Sequence, residues 1–97
     1  MATRETRMHT VLTQAYSPLR LEITDESARH SGHAERNGLA GGETHYHILL
    51  VSAGWRGQSR VARSRAVHAT LDSEFQDGLH ALSLTLWTPE EAEQAAA

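Results

Sequence analysis

The 97-residue sequence contains no cysteine, so it forms no disulfide and offers a metal no thiolate of its own. Lysine is absent too. All nine basic residues are arginine, a side chain suited to forked contacts with carboxylate or phosphate rather than to diffuse attraction. No run approaches the roughly 18 apolar residues that a membrane span needs. The opening stretch Met1-Ala2-Thr3-Arg4-Glu5-Thr6-Arg7 lacks the apolar block of a secretion signal, and a cytoplasmic location is the expectation. A net charge of −3 excludes a surface coated throughout for nucleic acid. There is no nucleophile–base motif, no phosphate loop and no carboxylate pair in an evident pocket. A non-enzymatic protein is expected.

What is present is enough for one domain, residues 1–97, with a core at about 8–89 and frayed ends. A chain of this length buries roughly 60–65% of its unfolded surface. Residues 3–15 predict a helix, with Met8, Val11, Leu12 and Ala15 on one apolar stripe. Ser17-Pro18 ends it. Alternation predicts a strand over 20–24, and the aromatic and branched stretch 46–52 a second, joined as an antiparallel hairpin. Between them, 25–43 is a polar loop rich in glycine, long enough to carry function or to lack order. Ser59 is a candidate N-cap for a helix over 60–75, its ridge formed by Val67, Leu71 and Phe75. Asp77-Gly78 stops that helix, and the alternation of Leu82, Leu84 and Leu86 predicts a strand. Pro89-Glu90-Glu91 opens a final helix. The order α-β-β-α-β-α, with a right-handed crossover into the last strand, gives an α+β fold: a three-stranded mixed sheet with helices on one face.

Seven histidines are many for this length, and four lie between His30 and His47. His80 stands where a turn enters the last strand, at the rim of the sheet. It is either a half-buried histidine satisfied by one hydrogen bond or a ligand held at the end of a rigid element. His45 and His47 share one side of their strand and with His30 and His33 suggest a zinc or copper site. His9 and His68 read as solvent-facing. Gly54-Trp55-Arg56-Gly57 has the spacing with which KH domains clamp a nucleic-acid backbone. It precedes a helix carrying Arg60, Arg63 and Arg65, so Gly54, Arg56, Gly57 and these arginines form a candidate nucleic-acid surface. The alternative is a tight turn beside a solvated arginine face.

Six pieces occur in the order and spacing of the BolA-like proteins: Leu21-Glu22-Ile23-Thr24-Asp25-Glu26-Ser27, Gly32-His33-Ala34, Gly42-Glu43-Thr44-His45-Tyr46, Val51-Ser52, Arg63-Ser64-Arg65-Ala66-Val67 and Leu79-His80-Ala81-Leu82-Ser83. The chain resembles that family over nearly its whole length. It departs from it at Ser64, where the family usually has Arg-His-Arg across these positions, and at Trp55-Arg56-Gly57, where it has Phe-x-Gly. The resemblance implies a fold like the class II KH domain. It also implies partnership with a monothiol glutaredoxin of the Cys-Gly-Phe-Ser type in a heterodimer sharing a 2Fe–2S cluster with glutathione. Carried over by position, His80 and His33 are the ligands from this side, with His45 as an alternate or a support for His33. Two imidazoles cannot saturate such a cluster, and with no cysteine here the missing ligands must come from the partner. The isolated protein is then expected to hold no cofactor and to be a monomer or weak homodimer. The resemblance implies a role in iron–sulfur or iron homeostasis, and the runner-up is a DNA-binding transcriptional regulator.

Overall fold

The computed structural model describes residues 2–27 and 44–96. Helix α1 is Arg4–Tyr16, strand β1 Arg20–Asp25, strand β2 His45–Val51, helix α2 Arg60–Thr70, helix α3 Asp72–Gln76, strand β3 Ala81–Trp87 and helix α4 Pro89–Ala96. A single 3-10 turn, Ala53–Trp55, joins β2 to α2. The mixed three-stranded sheet runs β1-β2-β3, with β1 antiparallel and β3 parallel to β2. This is the expected α+β architecture.

Local chemistry sets the boundaries. Thr3 caps α1 by accepting the amide of Thr6 at 3.1 Å. Ser59 caps α2 in the same way through the amide of Ala62 at 3.1 Å. Ser17 ends α1 in the left-handed region, φ 45°, with its N–H on Thr13. One face of the sheet is apolar. Tyr46, Ile48 and Leu50 are buried with Met8, Leu12, Val67 and Leu71, while Leu21, Ile23, Leu82 and Leu84 pack around them. Trp55 plugs one end of this core, 1% exposed, its ring 4.6 Å from that of Tyr16. The opposite parity of β2 and β3 carries His45, His47, Ser83 and Thr85.

Three expectations need correction. The helix over 60–75 is two helices: at Leu71 the backbone turns to φ −100°, ψ 16°, and α3 restarts one residue later. Leu71 is buried and Val67 fully so, while Phe75 is half-buried, packing at the margin of the core and stacking on His68 at 5.3 Å. In α1, Met8 and Leu12 face the core while Val11 and Ala15 are exposed, because one narrow sheet cannot cover the whole stripe. Finally, Arg63, expected on an exposed arginine surface, is buried, and so is Arg4, although arginine ordinarily stays in water. The segment 28–43, which contains most of the expected long loop, lies outside the described residues.

Buried Arg4 explains how the approach to β3 is held. Its guanidinium donates to the Glu74 carboxylate at 2.7 Å, to the Glu74 carbonyl at 3.1 Å and to the Asp77 carbonyl at 3.1 Å. Arg7 adds a forked pair to the same carboxylate, 2.9 Å on each arm. The hydrogen bond from Arg7, joined by the Arg4 contacts, holds the Glu74 carboxyl below its ordinary range against the opposing cost of burial. The clamp ties α1 to the turn Asp77-Gly78, where Gly78 takes φ +118°, a value suited to glycine. The next residues are Leu79, buried, and His80, exposed.

Candidate metal centre and its surroundings

Parallel pairing sets the starts of β2 and β3 side by side. The register opposes His45 to Ala81, so His80 lies beside Thr44. The Thr44 carbonyl accepts the amides of His80 at 2.8 Å and Ala81 at 3.2 Å. The rings of His45 and His80 consequently meet edge to face, with centroids 5.8 Å apart at 81°. Metal–nitrogen bonds are about 2.0–2.1 Å, which leaves two imidazoles on one ion with centroids roughly 5–6.5 Å apart. The observed separation lies in that range.

The pair is fixed from behind. Ser27, 3% exposed, accepts the amides of Thr44 and His45 at 3.0 Å each through its hydroxyl. Its own amide donates to Asp25 at 2.8 Å. The Thr44 hydroxyl bonds His45 Nδ1 at 2.9 Å, which orients that ring. His80 is solvent-exposed. Among the described residues no group of three His, Cys, Asp or Glu side chains is arranged to hold a metal. Among the described residues the site offers two imidazole donors, from His45 and His80, a set that suits iron or another borderline metal but is too small to saturate one. His33, the expected companion of His80, and His30 lie outside the described residues; the neighbour that the fold brings to His80 is His45.

His47 is occupied. Its Nδ1 bonds Ser83 at 2.8 Å and its Nε2 Thr85 at 3.3 Å, which spends both nitrogens within the sheet. A zinc or copper site pairing His45 with His47 would have to break these bonds. His9 and His68 are exposed on their helices, as the sequence suggests.

The Gly54–Gly57 turn is built as a structural corner. Trp55 enters the core and donates its indole N–H to the Leu50 carbonyl at 3.3 Å, while Gly57 takes φ +79°. Arg56 pairs with Glu90 at 3.0 Å. Arg63 is buried. It donates to the carbonyls of Gln58 and Leu86 at 2.9 Å each and to Glu91 at 2.6 Å. The hydrogen bond from Arg63, with the Thr88 amide next, pulls the Glu91 carboxyl down to about 2. Two of the four candidate arginines therefore already hold carboxylates of α4. Arg60 and Arg65 are exposed. Sequence reasoning missed the role of Arg63, because its partners lie 23 and 28 residues away.

No helix among the described residues is long and apolar enough to cross a membrane. The family described as BolA-like protein matches residues 12–91. The chain is 40% identical over 89 residues to "Protein BOLA1, chloroplastic" of Arabidopsis thaliana, covering 92% of this chain and 56% of that protein. It is likewise 40% identical over 93 residues to "SufE-like protein 1, chloroplastic/mitochondrial" of the same plant, covering 94% and 25%. It thus spans about a quarter to a half of these two relatives. Against the "DNA-binding transcriptional regulator BolA" of Escherichia coli (strain K12) it is 38% identical over 87 residues, 90% of this chain and 77% of that one. The solved structure of BolA1 from Arabidopsis thaliana superposes with a TM-score of 0.83 at 40% identity, covering 94% of this chain and 97% of that chain. Sequence and fold agree over almost the full length: the chain belongs to the BolA-like protein family.

Proposed function

We propose that the chain is a non-enzymatic accessory protein of iron–sulfur or iron homeostasis that binds a monothiol glutaredoxin and contributes histidine to a shared 2Fe–2S cluster. One observation carries this reading. His80 and His45 converge at an open end of the sheet, 5.8 Å apart, with no third donor among the described residues and no cysteine in the chain. A half-site of this kind is useful when a partner supplies the rest. His80 is the principal ligand, exposed and held by the Thr44 carbonyl through its own amide. The second ligand is either His33, in the segment before β2, or His45, the first residue of β2, whose ring the Thr44 hydroxyl orients. When bound, the cluster supplies an electron-accepting iron centre whose imidazole ligands make its binding sensitive to pH. The chain's own residues present nitrogen, exclude competing rotamers and hold the strand ends in register.

Mixing the protein with a cluster-loaded glutaredoxin while recording visible absorption and circular dichroism tests this directly. A new cluster spectrum that His80→Ala abolishes is expected. An unchanged spectrum, or an identical shift with His80→Ala, overturns it.

A second reading, DNA-binding regulation, is favoured by one relative whose name states that activity at 38% identity. Of its four candidate arginines, Arg56 and Arg63 are paired with Glu90 and Glu91, which leaves Arg60 and Arg65.

A further inference from the structure

The turn that leads from α3 to His80 is bonded on both sides. The Leu79 amide donates to the Glu74 carbonyl at 2.9 Å and the Gly78 amide to the Phe75 carbonyl at 3.4 Å. These are the paired bonds of a helix that ends through a glycine of positive φ. The very next amide, that of His80, is bonded to the Thr44 carbonyl at 2.8 Å. Consecutive residues are thus tied to different elements, and no slack lies between the turn and the histidine.

Arg4 braces this turn from α1. Its Nη1 reaches the same Glu74 carbonyl that accepts Leu79, and its Nη2 reaches the Asp77 carbonyl, each at 3.1 Å. A Cβ on Gly78 would stand 3.4 Å from Nη2, so the guanidinium lies against the glycine. Arg7 meets the Glu74 and Asp77 carboxylates, at 2.9 and 3.6 Å, whereas Arg4 also bonds the backbone of the turn itself. Both arginines precede residue 12, where the family match begins, so the brace is carried by residues outside the matched segment.

We propose that Arg4 is a positioning residue for the histidine pair: through the turn it fixes where His80 meets His45, and with that the capacity to hold a shared cluster. The effect on the cluster rests on the function proposed above; the effect on the two rings does not. Removing the guanidinium takes a donor from both carbonyls and the 2.7 Å contact from a Glu74 side chain that is 10% exposed. The Thr44 carbonyl then restrains His80 from the strand side alone. Arg63 supplies the control. Its side chain is as buried as that of Arg4, 7% against 8% exposed. It anchors backbone too, but at Leu86, about 20 Å along β3 from His80.

The experiment compares the parent with Arg4→Gln, Arg4→Lys and Arg63→Ala as full chains, below the melting temperature of each. In the free protein, NMR reads the exchange of the His80 amide relative to that of Ile48, and the cross-relaxation between the rings of His45 and His80. Arg4→Gln should speed the relative exchange about tenfold, as loss of one charged hydrogen bond implies, and weaken the ring contact. Arg4→Lys keeps a cation for Glu74 but lacks the fork that also reaches Asp77, and should fall between parent and Arg4→Gln. Arg63→Ala should leave both readings unchanged. Titrated with a cluster-loaded monothiol glutaredoxin and followed by visible circular dichroism, Arg4→Gln should bind about tenfold more weakly, the low end of what loss of a supporting contact costs a metal site. Parent-like exchange and ring contact in the Arg4 variants overturn the proposal, as does an equal change in Arg63→Ala. If Arg4→Gln does not fold, Arg4→Lys decides. A parent that leaves the cluster spectrum unchanged overturns the shared-cluster function instead, and the free-protein measurements still decide the role of Arg4.

Discussion

Replacing Arg63 by alanine separates a structural arginine from a binding one. Its side chain is 7% exposed, and it donates to two backbone carbonyls, Gln58 and Leu86, at 2.9 Å each. A hydrogen bond from a charged group contributes about 1.5–3 kcal/mol. The low end of that range for the two carbonyls gives a loss of about 3 kcal/mol. Glu91 is 35% exposed and can be rehydrated, so its ion pair adds little to this figure. For a domain of this size each kcal/mol moves the melting temperature by about 4–8 °C, so Arg63→Ala should melt about 12–24 °C below the parent. Arg65→Ala, on the exposed side of the same helix, should change stability by at most about 0.5 kcal/mol. Thermal unfolding followed by circular dichroism reads both. If Arg63→Ala melts within about 4 °C of the parent, the buried-anchor reasoning is refuted. The comparison also decides how binding data are read, because lost affinity in Arg63→Ala would report a loosened fold.

Acid should weaken the protein through the carboxylates that hold these arginines. Glu91 and Glu74 both ionise more readily in the folded state, so the unfolded chain takes up protons first and stability falls as pH drops. For Glu91 the loss runs from its ordinary value of 4.5 down to about 2, and Glu91→Gln should flatten the acid-unfolding curve over that interval as followed by tryptophan fluorescence. For the DNA reading, binding at low salt should weaken with Arg60→Ala and Arg65→Ala and fall with added salt; flat titrations at low salt would remove it.

Alternation in the sequence was sufficient for the three strands, the hairpin and the parallel return, because each strand has one buried face and a slip by one residue would expose Ile48 and Leu50. Helix caps were equally legible at Ser59, where the side-chain requirement is local. Long-range arginine pairs were not. Arg4 and Glu74 are 70 residues apart, and neither carries a local mark that distinguishes it from a solvated charge. The break at Leu71 was hidden because the four-residue spacing of Val67, Leu71 and Phe75 continues through it, and all three still touch the core. At the histidine site, parity showed that His45 shares a face with His47. The register that sets it against His80 depends on which residue of β3 meets which residue of β2, and no local pattern specifies that.

The most direct measurement of the central claim labels only this chain's histidines with ¹⁵N, assembles the complex with unlabelled cluster-loaded glutaredoxin, reduces the cluster and records electron–nuclear double resonance. Two ¹⁵N couplings of directly bonded imidazole are predicted, one of them lost in His80→Ala and both retained in His47→Ala, whose ring is held by Ser83 and Thr85. Absence of these couplings, or a spectrum that His80→Ala leaves unchanged, would contradict the assignment.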